Sequence, residues 1–125
     1  MSGETNMKWK YQLVLQCPFS GLTDYDAMIV LEETLIAEVG NKALVDGHDA
    51  GSGEMNIFIH TNDPRRIFEK ILSSHGSDPI FSRLRAGYRG LESDNYTTLW
   101  PKGFKRRFRV KQKEETTEQG RPSNP

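Results

Sequence analysis

The stretch Val45–Pro64, VDGHDAGSGEMNIFIHTNDP, decides the fold, because it combines a hairpin with the start of a helix. Its first half is polar and ends in a turn at Gly51 and Gly53, and its second half is an apolar strand. Asp63 and Pro64 follow, and these residue types are favoured at the N-cap and the first position of a helix. The stretch therefore predicts strand, turn, strand and helix in direct succession.

The residues before this stretch predict a strand and a long helix. Apolar positions alternate through residues 9–17, which is the period of a strand with one more buried face. Apolar residues then recur at helical spacing as far as Val39. Thr23 is a candidate N-cap with Asp26 three residues later, and Gly40 is a candidate helix end.

Further elements complete the predicted order. The hairpin strands are expected over residues 43–49 and 54–61, a helix over 64–75, and strands over 84–91 and 96–100. The order β-α-β-β-α-β plus an extra C-terminal strand is that of a ferredoxin-like α+β sandwich, a split βαβ. Two helices then cover one face of an antiparallel sheet and leave the other face open. An open apolar face is commonly covered by a second copy, a partner, a ligand or the protein's own tail.

Length and composition predict one small domain. The chain has 125 residues, and we expect a single α+β domain over 7–101. A basic extension over 102–113 can form a further strand, and residues 114–125 are too poor in apolar side chains to pack, which predicts disorder. Cys17 is the only cysteine, so no internal disulfide can form. With no apolar signal segment or membrane span in the sequence, we expect a cytoplasmic protein without membrane contact.

A formal net charge of zero conceals a strong asymmetry. Residues 1–101 carry nine basic and fourteen acidic side chains, whereas residues 102–113 carry seven basic and no acidic ones. This basic strip predicts a tail that docks on its own acidic body or contacts an anionic partner. The candidate nucleic-acid contacts are Lys105, Arg106, Arg107 and Arg109. The acidic body, and a third strand whose only aromatic residue is Phe58, favour docking over nucleic-acid binding.

The hairpin carries a candidate polar cluster, whose members are Asp46, His48, Asp49, Glu54 and His60. Carboxylates and imidazoles are the groups that metal binding and proton transfer require. A five-residue loop would pair His48 with Glu54 and gather the cluster on the open face. A four-residue loop would pair His48 with Met55 and scatter it. We favour turn chemistry and sheet hydrogen bonds as the role of these residues, and we assign no catalytic residue, metal or cofactor.

Five strings of the sequence resemble a group of small uncharacterised bacterial proteins that share a GHDxGSGEMNIF hairpin. The strings are WKYQLVLQ, DYDAMIVLEETL, VDGHDAGSGEMNIFIHTNDP, LRAGYRGL and DNYTTLWP, and the resemblance covers roughly residues 8–101. The group has no established activity, so the resemblance implies a compact single domain and supplies no catalytic residues. Some small bacterial αβ proteins of this build act as immunity or accessory partners of toxins, which is an analogy of size and fold class.

The sequence thus favours a non-enzymatic module that binds a protein partner or a second copy through the open sheet face. In a homodimer, Val14, Leu44 and Phe58 are the apolar residues expected to be buried there. The alternative is a small enzyme or metal-binding protein that uses Asp46, His48 and Glu54, and nucleic-acid binding through the basic strip ranks third.

Overall fold

A mixed α+β fold is formed by the residues that the computed structural model describes, which are 8–19, 21–104 and 107–111. Its strands are β1 (Tyr11–Pro18), β2 (Ala43–Gly51), β3 (Glu54–Thr61), β4 (Arg85–Gly90) and β5 (Thr97–Trp100). Its helices are α1 (Leu22–Glu38) and α2 (Pro64–His75), and a short 3-10 helix, Pro79–Ser82, precedes β4. The mixed α+β class predicted from the sequence is confirmed.

The strands form one antiparallel sheet in the order β2-β3-β1-β4-β5. The central strand is β1, in which Leu13 lies opposite Ile59 of β3 and Tyr88 of β4. Side chains of a strand point alternately to the two faces, so Leu13, Leu15 and Cys17 all point to the same face.

Both helices cover that face and enclose the core. The buried core side chains from the central strands are Leu13, Leu15, Cys17, Met55, Ile57 and Ile59. Those from the helices are Met28, Leu31, Leu35, Ile67, Phe68 and Ile71. Burial of one such aliphatic or aromatic side chain stabilises the fold by about 1.5–3 kcal/mol, so this layer is the main source of stability.

A two-residue turn joins β2 and β3. Ser52 and Gly53 both have positive φ, at 56° and 81°, which is the conformation of a type I′ hairpin turn. Gly51 consequently pairs with Glu54, and neither the four-residue nor the five-residue loop considered from the sequence forms. The same turn places His48 opposite Ile57, and the pairing then shifts by one residue at a bulge between Val45 and Gly47. The bulge is possible because Gly47 adopts a φ of 136°, which side chains rarely allow.

The helix ends illustrate one correct and one wrong prediction. As predicted, α2 spans Pro64–His75, and the carboxylate of Asp63 accepts a hydrogen bond from the backbone N–H of Arg66 at 3.3 Å. The predicted N-cap of α1, Thr23, instead lies in its first turn. Gly21 precedes the helix, and its carbonyl accepts the N–H of Tyr25 at 3.3 Å, which closes that turn without a side-chain cap.

Strand β1 begins later than the alternation at 9–17 predicts. The backbone at Lys8 and Lys10 bonds to the amide side chain of Asn62 at 3.1 and 2.9 Å, and pairing with β3 begins only at Tyr11. The side-chain amide therefore replaces the first rungs of the ladder.

The sheet face opposite the helices, here called the open face, carries Val14, Gln16, Asn56 and Gly87 and is partly covered by residues 107–111. Phe108 is buried over Gly87, where an added Cβ would lie 2.7 Å from two ring atoms. Its ring centroid is 5.2 Å from that of Tyr96. No strand is assigned to 102–104 or 107–111, so the extra strand considered for 102–113 is absent from its described part; the predicted tail over 114–125 lies outside the described residues.

Replacing Gly87 by Ala should displace Phe108 and lower the free energy of unfolding by about 1–3 kcal/mol, because the new methyl group needs the space of the ring. Urea denaturation measures this loss. Gly90→Ala is the matched control, since the nearest atoms to a Cβ there lie 4.0 Å away. In the double variant with Phe108→Ala, the Gly87→Ala substitution should cost nothing further, because its clash has been removed. Equal stability losses in Gly87→Ala and Gly90→Ala would contradict the docking of Phe108.

Candidate functional site

The five polar residues singled out in the hairpin do not converge on one point. His48 lies opposite Ile57 and reaches α1, whereas Asp49 and Glu54 lie on the open face. Asp46 lies at the bulge, with its Oδ2 atom 3.9 Å from Nε2 of His60. The tight turn and the bulge together cause this separation, because each changes which face a residue of β2 occupies.

His48 joins the hairpin to α1. Its Nδ1 atom lies 2.8 Å from Oε1 of Glu32, which is buried, and its ring meets that of Tyr25 edge-on with centroids 6.2 Å apart. A buried carboxylate needs such a hydrogen-bond partner. The contact occupies one of the two ring nitrogens of His48, and it places His48 away from Glu54.

A row of polar side chains crosses three strands on the open face. Asn56 donates to Oδ1 of Asp49 at 3.0 Å, and Nε2 of Gln16 donates to Oδ1 of Asn56 at 2.9 Å. The same nitrogen lies 3.1 Å from Oε2 of Glu54. Gln16, Asn56 and Glu54 are buried, and buried polar groups require partners of this kind. The row thus fixes the three strands relative to one another through side chains.

Residues 107–111 complete this row. The carbonyl of Arg109 accepts a hydrogen bond from Nε2 of Gln16 at 2.9 Å, and the N–H of Lys111 donates to Oε2 of Glu54 at 3.4 Å. The ammonium group of Lys111 donates to the carbonyl of Ser52 in the hairpin turn at 3.1 Å. The segment is therefore attached by polar contacts as well as by Phe108.

Arg85 of β4 supplies the opposite charge to the buried carboxylate. Its Nη2 atom lies 3.5 Å from Oε1 of Glu54. Its Nε atom is buried and has no hydrogen-bond partner within the described part of the chain. On the edge of the guanidinium group formed by Nε and Nη2, only Nη2 contacts the carboxylate.

These residues border a cleft between the C-terminal segment and the end of the sheet, with a volume of about 590 Å³. Four cationic side chains and one carboxylate line it, namely Arg85, Arg107, Arg109, Lys111 and Glu54. Two of the four candidate nucleic-acid residues, Arg107 and Arg109, therefore lie at the cleft. The other two, Lys105 and Arg106, fall outside the described residues.

Tyr96 lies beside the docked segment. Burial raises the pKa of its hydroxyl group, and the hydrogen bond with Arg89 opposes that effect. Arg89 also donates to Oε1 of Gln12 at 3.1 Å and to the carbonyl of Ser93 at 3.0 Å. Burial is thus the main cause of the raised pKa of Tyr96, whose ring centroid lies 5.2 Å from that of Phe108.

The environment of the single cysteine disfavours a role as a nucleophile. Burial in the core raises the pKa of the Cys17 thiol, with the nearby Arg83 acting in the opposite direction. Since the thiolate is the reactive form, a raised pKa disfavours covalent chemistry at this residue.

Comparisons with known proteins do not assign the site. No family model, curated protein or solved structure matches this chain. Among residues 8–19, 21–104 and 107–111, no three His, Cys, Asp or Glu side chains are grouped so that they could hold a metal ion. Nor does any helix in those ranges have the length and apolar character needed to cross a bilayer.

Sequence reasoning missed the residues that organise the open face, Gln16, Arg85 and Phe108. Gln16 is a polar residue within an otherwise apolar strand, which could have marked it as a buried polar group, but the alternating pattern places it on the less buried face. Phe108 alternates with basic residues, a pattern that predicts a strand. No sequence pattern marks Arg85, since its partner Glu54 is distant in sequence.

The raised pKa of Tyr96 predicts an alkaline loss of stability. Folding favours the neutral phenol, so its contribution is intact below the ordinary tyrosine pKa and is lost as the pH rises towards the raised value. Ultraviolet titration of tyrosine ionisation should show a late step that Tyr96→Phe removes. Phe108→Ala should lower that pKa, because burial is its main cause. Phe19→Ala, which removes a ring packed near Tyr25 instead, is the control, and an unchanged step in Phe108→Ala would contradict the assignment.

Proposed function

We propose that this protein is a non-enzymatic interaction module whose outward α1 face binds a basic, partly apolar segment of a partner protein. The observation that carries the proposal is the exposure of three large apolar side chains on one helix. Leu22, Val30 and Ile36 are 78%, 61% and 57% exposed. Large apolar side chains exposed along one helix face support an interaction site there.

The exposed residues of α1 share one side of the helix. Leu22, Asp26, Val30, Glu33 and Ile36 follow one another at intervals of three or four residues, which places them along one helix face. The exposed positions of α2 differ, because all of them are polar: Arg65, Arg66, Glu69, Lys70, Ser73 and Ser74. An apolar outward face is thus particular to α1.

Charge supports a basic partner. The helix carries five acidic residues and no basic ones. Three of them have basic partners within the chain, as Asp24 pairs with Arg83 at 2.6 Å, Glu32 with His48 at 2.8 Å and Glu38 with His75 at 2.9 Å. Asp26 and Glu33 lie among the exposed apolar side chains. A second copy that used the same face would bring four carboxylates together, whereas Lys or Arg on a partner would neutralise them.

The open sheet face offers less surface for a partner than the sequence predicts. Val14 is fully buried and residues 107–111 occupy the centre of this face, so Leu44, 46% exposed, is its main accessible apolar residue. Asp46, His48 and Glu54, the residues of the alternative enzyme or metal-binding hypothesis, lie apart from one another. We therefore place the partner on α1.

We further infer a ferredoxin-like arrangement to which β5 has been added. The order β2-β3-β1-β4, with one helix after β1 and another after β3, supports this assignment. A cytoplasmic location is in keeping with a single cysteine that is buried in the core. An immunity or accessory protein of a toxin is one role that such a module can fill.

Binding of two synthetic amphipathic helices tests the proposal. A fluorescent peptide of Leu and Lys should bind the full chain, and an otherwise identical peptide of Leu and Glu should not, in a fluorescence anisotropy titration. Ile36→Lys should weaken binding of the Leu and Lys peptide by about tenfold or more, because it removes apolar contact worth about 1.5–3 kcal/mol and adds a like charge. Ser73→Lys adds the same charge to the outward face of α2 and should change little.

Two outcomes would contradict this function. Equal binding of both peptides would exclude charge complementarity, and equal effects of Ile36→Lys and Ser73→Lys would exclude the α1 face. Sedimentation of the full chain at micromolar concentration tests whether the α1 face binds a second copy of the chain. Self-association that Ile36→Lys abolishes would identify the partner as another copy.

A further inference from the structure

The cleft beside the C-terminal segment is separate from α1 and has the size of a ligand site. Its volume of about 590 Å³ lies within the range of roughly 300–1,000 Å³ that is typical of small-molecule sites. A single phosphate ion would fill only a small part of it. The cleft therefore has room for a ligand with several functional groups.

The charges of the cleft favour an anion. The lining has four cationic side chains and one carboxylate, so its net charge is +3. The ion pair between Arg85 and Glu54 at 3.5 Å accounts for the single negative charge. The ammonium group of Lys111 bonds to a neutral carbonyl, that of Ser52, and keeps its charge. A concave surface with an excess of one sign attracts ligands of the opposite sign.

Arg85 has an unused donor at this site. Buried donors without a partner are rare, and Nε of Arg85 is one of them within the described residues. The guanidinium group can donate from Nε and one Nη to two oxygens at once, which is how Arg binds carboxylates and phosphates. Glu54 uses only the Nη2 position. Arg85 also lines the cleft, so its guanidinium group contributes positive charge there.

We propose that this cleft binds a small ligand with two or more phosphate groups, of the chemical class of pyrophosphate and the nucleoside diphosphates. Arg85 is on β4, whereas Arg107 and Arg109 are on the C-terminal segment, so successive phosphates can be held from two sides. Arg recognises phosphate with paired hydrogen bonds, which a phosphate chain can accept repeatedly. The bound ligand would join the segment to the sheet, and binding should therefore also raise the melting temperature.

Isothermal titration of the full chain with pyrophosphate tests this site. Arg107→Gln and Arg109→Gln should each weaken binding by about tenfold, because each removes a charge-assisted contact from an exposed side chain. Arg66→Gln removes the same charge from the exposed start of α2 and should leave the affinity within about twofold.

The competing outcomes are distinct. Unchanged affinity in the Arg107→Gln/Arg109→Gln double variant, or an equal loss in Arg66→Gln, would overturn the site. Sulfate that binds as tightly as pyrophosphate would indicate an adventitious ion only and overturn it too. An affinity for single-stranded oligonucleotides that exceeds that for pyrophosphate and rises with length would assign the cleft to nucleic acid instead.

A nucleoside diphosphate that binds as tightly as pyrophosphate, or more tightly, supports the proposal and shows whether a base contributes. Ile36→Lys should leave all these affinities unchanged, which separates this site from the α1 face.

Discussion

The buried carboxylate of Glu54 is the constraint on which the open side of the molecule depends. A charge removed from water needs compensating charge and hydrogen bonds, and Glu54 obtains them from Gln16 of β1, Arg85 of β4 and the backbone of Lys111. These three partners come from three separate parts of the chain. The carboxylate thus fixes the position of the C-terminal segment and of two strands at once, and Phe108 then closes the apolar part of the same face.

The C-terminal segment docks on the sheet without neutralising its basic side chains. Lys111 donates to the carbonyl of Ser52 in the hairpin turn, and the backbone carbonyl of Arg109 accepts from Gln16. The side chains of Arg107 and Arg109 remain exposed, because backbone and Phe108 make the contacts to the sheet. Attachment through backbone and an aromatic ring leaves guanidinium groups available for anions.

Local sequence patterns determined much of the fold and little of the site. Predicted and observed bounds agree for β3 and α2, since alternation and the Asp63 cap depend on neighbouring residues. The hairpin register was not predicted, because a four-residue and a five-residue loop both fitted the glycine turn. The structure has a two-residue turn instead, and the bulge at Asp46 adds a shift that composition does not show. The pairing of Glu54 with Arg85, and of Gly87 with Phe108, joins residues that are distant in sequence. The first contact follows from strand order and the second from docking of the C-terminal segment, and no local pattern encodes either one.

The two proposed binding surfaces have opposite charge and lie on opposite sides of the sheet. The outward face of α1 is acidic and apolar, and the cleft on the open face is basic. A helix with its side chains is about 10 Å across, so at least that thickness and the sheet separate the two surfaces. Screening in physiological salt acts over about 8 Å, and each field therefore acts largely on its own surroundings. The net charge of zero therefore does not predict how either surface behaves. A partner or ligand responds to the local electrostatic field of the surface that it meets.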